Sequence, residues 1–247
     1  MTLSLTTYTD AIKEHSEALA RLAPSAMDLS VEHCPGWAVE DLLRHLIEVQ
    51  WFWATIVEQR LDAPVEEGRP TDVAKDGLVE RFLSGADHLV QVLSSATQSD
   101  HVWTWAPLQH DVAFVTRHQV QEIAVHHWDA AHASGTEVVI ASDVATDAIA
   151  EFLTVSVSSV SDPADPPRAP FDGVLGLRCS DVNEGWTVRD APAPGTIGFR
   201  EGVDVGVPTL TASSSDLLLW LYARKNVAGD AAANQLGERL HALSFMD

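Results

Sequence analysis

Over the first two thirds of the chain the apolar residues recur every three or four positions. A chain patterned that way buries its stripes only by packing helices against one another. Tyr8, Ile12, His15, Leu19 and Leu22 line one face over residues 7–22, and Pro24 reads as the stop. A second helix is expected over about 38–60: the turn-prone Cys34-Pro35-Gly36-Trp37 precedes it, Glu40 and Asp41 suit its N-terminus, and Leu42, His45, Leu46, Val49 and Trp53 form its stripe. Residues 61–72 read as a loop. Further helices are expected over about 74–96, over about 111–134 with Gly135 as the terminator, and from Asp143 to about Val155.

The pattern breaks at residues 158–170, where four prolines and three charges fall within thirteen positions, a linker composition. Beyond it, Val174–Cys179 and Trp186–Arg189 flank a turn-like Asp181–Gly185 and read as a hairpin, and Val203–Thr211 reads as another strand. Ser213 opens a helix that buries Leu217, Leu218, Trp220 and Leu221, and a last helix fits about 230–243. The expected organisation is a helical domain over 1–157, a linker over 158–170 and a smaller α+β domain over 171–247.

Composition excludes several classes of function. Fifteen basic against thirty-six acidic residues give a formal charge of −21, which repels phosphate backbones and anionic headgroups, so neither nucleic acid nor a membrane surface is an expected partner. No apolar run reaches the ~18–20 residues of a membrane span. The first residues lack a secretory pattern, and a cytoplasmic location is expected. Two cysteines, Cys34 and Cys179, are too few for a disulfide scaffold. Cys34 precedes a helix N-terminus, where a thiolate is favoured. No basic partner is identifiable for it in sequence, so packing is the expectation, as it is for Cys179. The tryptophans at 51, 53, 103 and 105 read as core or pocket wall.

Eleven histidines leave one segment with chemical promise, Thr116 to Ala130. Glu122 and His126 stand one helical turn apart on one face and can chelate a divalent cation, carboxylate oxygen and imidazole nitrogen meeting at about 2.0–2.2 Å from zinc. His45, from the stripe of another helix, would complete three protein ligands and leave a coordination position open. His118, one turn before Glu122, is an alternative third ligand or a hydrogen-bond partner for substrate. Asp129 can orient a ligand imidazole or be solvated near the helix end, and His127 points aside to packing. The donors also admit iron, nickel or manganese. The plainer account of Glu122 and His126 is an exposed pair worth about 0.2–0.5 kcal/mol.

Three blocks in order resemble the mycothiol-dependent maleylpyruvate isomerase family. They are Cys34-Pro-Gly-Trp37 with Asp41-Leu-Leu-Arg-His45-Leu, then Gln121-Glu122-Ile-Ala-Val-His126-His-Trp-Asp129-Ala, then Ser215-Asp216-Leu-Leu-Leu-Trp220-Leu-Tyr-Ala-Arg224. The resemblance implies an N-terminal DinB-like four-helix bundle and a smaller C-terminal sterol-carrier-protein-like α+β domain. It implies zinc on His45, Glu122 and His126, and mycothiol, the actinobacterial thiol, as cosubstrate. Three lysines against twelve arginines suit such a source. In an isomerase the thiolate adds to the cis double bond of a maleyl-type diacid, the new single bond rotates, and elimination gives the trans product. In a transferase the thiol stays on the electrophile. Arg224 matches an arginine implicated in activity and would neutralise a substrate carboxylate or a developing enolate. Many relatives carry histidine before the metal-binding acid and arginine near position 118. Here Gln121 and His118 stand instead, with Arg117 adjacent, a departure that bears on substrate. A metal-dependent hydrolase and a non-catalytic metal-binding or regulatory bundle are the rival expectations.

Overall fold

The computed structural model describes residues 2–70, 73–158, 169–192 and 196–244. The chain divides into two compact units, Met1–Val139 and Ile140–Asp247.

The first unit holds four long helices: α1 (Leu5–Ala26), α2 (Val39–Gln59), α3 (Leu78–Ser95) and α4 (Val112–Ala133), with a short 3-10 turn at Lys75–Gly77 leading into α3. Their neighbours follow from their apolar faces. α1 packs on α4 and α3, and α2 packs on α3 and α4, so α1 stands diagonally across from α2. The core between them is filled by Ile12, Leu19, Leu42, Leu43, Leu46, Ile56, Phe82, Leu89 and Phe114. Pro24, read as a stop, lies inside the last turn of α1. A proline there removes the one bond its N–H would have made, and the buried Ala23 and Ala26 on either side of it carry the helix to Ala26 by packing.

Cys34-Pro35-Gly36-Trp37 is a tight turn closed by Trp37 N–H on the Cys34 carbonyl at 2.9 Å. Proline at its second position and Gly36 at φ +87° are what a type II turn demands. The turn is clasped at its base by Val31 N–H to Trp37 O and Val39 N–H to Leu29 O, and so delivers the chain directly into α2. Asp41, three residues inside, accepts from the Ala38 N–H at 2.9 Å. Ahead of α4, Asp111 caps the helix by accepting from Phe114 N–H at 2.9 Å. Gly135, at φ +71°, lies just past its C-terminus.

The second unit begins with α5 (Ser142–Phe152), which widens into a π-type turn at Leu153–Val157. The sequence reading groups this segment with the bundle, whereas its packing groups it with the C-terminal unit. Its apolar face meets α6 (Ser214–Leu221), Phe152 sits edge-on to Tyr222 at 5.0 Å, and Ser215 Oγ accepts from Ile140 N–H at 3.0 Å. Most of the expected linker, residues 159–168, lies outside the described residues.

The sheet is ordered β3-β2-β1-β4, with β1 (Val174–Cys179), β2 (Gly185–Asp190), β3 (Ile197–Glu201) and β4 (Thr209–Ala212). β1, β2 and β3 pair antiparallel, and β4 returns parallel to β1. α7 (Ala231–Leu243) and α6 pack on β1 and β4. The expected hairpin is β1–β2. The expected strand 203–211 pairs only from Thr209, because Gly206 at φ +79° and Pro208 make the stretch before it a turn. Among the described residues no helix is long and apolar enough to cross a membrane. The architecture is thus a helical N-terminal part followed by a small α+β part.

Candidate metal centre

The neighbouring helices α2 and α4 bring together His45, Glu122 and His126. Nε2 of His45 lies 2.9 Å from Glu122 Oε1, and Nε2 of His126 lies 3.5 Å from the same oxygen. The three donor atoms lie within 4.8 Å of one another. Ligand atoms at about 2.0–2.1 Å around a tetrahedral zinc stand about 3.3 Å apart. Two nitrogens and one carboxylate oxygen at these separations therefore fit a zinc ion with little movement. His45 groups its nitrogen with the pair, and His118 acts on Glu122 through its charge.

The surroundings hold this geometry. The Trp37 indole, delivered by the Cys34–Trp37 turn, tilts against the His45 ring at 5.1 Å, and the His45 and His126 rings meet edge-to-face at 5.3 Å. Behind His126, Asp129 Oδ2 takes Nδ1 at 3.1 Å. A carboxylate on Nδ1 fixes the ring so that Nε2 faces Glu122, the nitrogen that a metal would take on displacing its proton. Asp129 is buried, not solvated at a helix end. Cys34 Sγ lies 3.9 Å from the same Asp129 oxygen and groups with His126 and Asp129. Sequence reasoning missed this contact. The signal was the turn motif, whose first residue must lie close to whatever its last residue touches.

Electrostatics agree with the donor set. Burial works to raise the Glu122 carboxyl, but the His126 charge and the His45 hydrogen bond outweigh it and bring the pKa down to about 2. Burial likewise opposes charge on His126, but the Glu122 charge and the contacts of Asp129 and Cys34 push it up to about 10. Both shifts have the same cause. It is the mutual attraction of the Glu122 carboxylate and the His126 imidazolium, each of which favours the charged form of the other.

His118 is buried and stacks flat on Phe114 at 5.3 Å, with Trp105 and Trp53 edge-on. Its Nδ1 accepts from the Gln121 amide at 2.9 Å, which puts the ring proton on Nε2. Gln121 thus sets the His118 tautomer. His127 turns to α1, where its Nδ1 meets His15 Nδ1 at 2.9 Å. Arg224 belongs to the second unit. Its Nη1 donates to the Tyr222 carbonyl at 2.8 Å, and its guanidinium lies 5.9 Å from the centre of the Tyr222 ring.

Residues 8–131, half of the chain, match the mycothiol maleylpyruvate isomerase N-terminal domain family. The chain belongs to this family. Two solved structures share its fold along nearly the whole length. A mycothiol-dependent maleylpyruvate isomerase aligns with TM-score 0.64 and 13% identity over 94% of this chain and 97% of that one. A histidine-to-alanine mutant of such an isomerase aligns with TM-score 0.62 and 12% identity over the same shares. At these identities the likeness is one of fold. No curated protein matches the sequence. The family match covers α2 and α4, so His45, Glu122 and His126 all stand inside the mycothiol maleylpyruvate isomerase N-terminal domain.

Proposed function

We propose that this chain is a zinc-dependent enzyme that uses mycothiol as its thiol cosubstrate. It would either isomerise a maleylpyruvate-like diacid from cis to trans or transfer the thiol to a small electrophile. The observation that carries this reading is the meeting of His45 Nε2, Glu122 Oε1 and His126 Nε2 with Asp129 behind them. The family match supports the choice of thiol.

Zinc bound there would supply a Lewis acid able to draw a thiol's pKa down from about 8.5, making thiolate available at neutral pH. The protein's own residues do the rest. With the Nε2 proton of His126 displaced by the metal, two imidazole nitrogens and the Glu122 carboxylate would make three ligands and leave a position open for a thiol. Asp129 fixes the orientation of His126, and Trp37 fixes that of His45. The aromatic wall of Phe114, Trp53 and Trp105 holds the His118 ring, and Gln121 sets its proton on Nε2. In this reading that N–H hydrogen-bonds an oxygen of the substrate. By the family resemblance, Arg224 would be the cation that neutralises a substrate carboxylate or a developing enolate.

Metal analysis by elemental mass spectrometry, comparing wild type with His126→Ala, tests the site. About one zinc per wild-type chain, lost in the variant, is the expected result. A wild type that is metal-free and refuses added zinc overturns the proposal and leaves a bundle used for binding. Assays on maleylpyruvate with and without mycothiol then test the chemistry. Turnover that persists without mycothiol would move the chain to the hydrolase class.

A further inference from the structure

A second set of metal-type donors, Glu32, His33 and His132, lies near Asp129. Glu32 and His33 come from the segment just before the Cys34–Trp37 turn, and His132 comes from the last turn of α4. His132 Nε2 meets Glu32 Oε2 at 3.0 Å. The His33 and His132 rings are 5.7 Å apart, and one donor atom from each of the three residues lies within 4.8 Å of the others.

An exposed glutamate–histidine pair alone contributes about 0–1 kcal/mol and needs no ligand to explain it. Three features take this group further. The Trp128 indole is buried and serves as a common wall. His132 stacks on it at 4.7 Å with the planes 9° apart, and His33 leans on it at 5.7 Å. Both imidazoles are therefore held in place before any ligand arrives, which removes much of the ordering cost of a surface site. Next, Nδ1 of His33 faces Asp129 Oδ1 at 3.9 Å, so the same buried carboxylate stands behind a histidine of each group. At that distance the carboxylate acts on His33 through its charge, not through a hydrogen bond, and it favours a cation nearby. Finally, the C-terminal end of a helix carries partial negative charge, and His132 lies in the last turn of α4.

We infer that Glu32, His33 and His132 form a second, solvent-facing site for a divalent transition metal ion. Two imidazoles and one carboxylate select zinc, nickel or copper over magnesium or calcium, which take oxygen donors. The exposed Glu32 and His132 side chains can close the remaining gap by small rotations. The site is independent of the metal centre at His45, Glu122 and His126, with which it shares no ligand.

Equilibrium dialysis of the full chain against zinc chloride, with metal analysis of the retained protein, reads this directly. Wild type is expected to take up one more equivalent than His132→Ala as free zinc is raised. Glu32→Gln, which keeps the histidine–tryptophan stack, is expected to weaken that equivalent by at least about tenfold. His45→Ala is expected to retain it. Uptake curves of Glu32→Gln and His132→Ala that superimpose on wild type overturn the inference. Should His132→Ala lose its folded circular dichroism, Glu32→Gln alone decides.

Discussion

Asp129 shows how much of a site rests on one side chain. Buried among His126, Cys34 and His33, it has no role that solvent could fill. Asp129→Asn keeps the volume and removes the charge. If His126 is a zinc ligand, the expected result is a zinc affinity lower by about 10–100-fold, measured by chelator competition, with helical circular dichroism unchanged. Unchanged affinity would show that Asp129 does not tune His126. The spacing of Glu122 and His126 was readable in the sequence, since four residues make about one turn of any helix. The burial of Asp129 was not, because position along a helix does not say what covers its end.

α4 carries most of the chemistry, and its burial shows what that requires. His118, Gln119, Gln121, His127 and Asp129 are all buried polar residues on a single helix. His118, Gln121, His127 and Asp129 each meet a hydrogen-bond partner, whereas the Gln119 Nε2 amide has none among the described residues. The helix begins at the Asp111 cap. Asp111→Ala is expected to lower unfolding stability by about 1 kcal/mol, read as a drop of a few degrees in Tm. Zinc content should hold, because the cap lies about three turns before Glu122. A variant that lost its metal along with its cap would show that the centre depends on the first turn of α4. Periodicity and caps made most helices legible within a few residues. β3 was missed because its five residues bury only Ile197 and offer little alternation to read.

The whole molecule is strongly acidic, yet His15 titrates against that trend. Burial lowers its pKa to about 4, and its partner His127, flanked by Arg21, is held near 4 as well, by burial first and then by the neighbouring charges. The unfolded chain binds the proton near pH 6.5, so as pH falls from about 6.5 towards 4 the unfolded state is favoured. Stability is whole above that window, falls through it and levels off below. Urea midpoints at pH 7.5 and pH 5 should therefore differ more for wild type than for His15→Leu, and equal differences would remove His15 as the cause. The charge of −21 adds self-repulsion, so moderate salt should raise Tm.

Backbone hydrogen bonding and side-chain period act over a few residues, so whatever depends on them could be read from the chain alone. The Glu122–His126 pair, the Cys34–Trp37 turn, Gly135 past the end of α4, the Ser213 cap of α6 and the β1–β2 hairpin are of this kind. The meeting of His45 with a glutamate 77 residues away, the contact of Cys34 with Asp129, the shared Trp128 wall and the grouping of α5 with the second unit came from packing. These depend on which apolar face covers which, a choice made by the burial of the whole surface at once. No local window of sequence contains it.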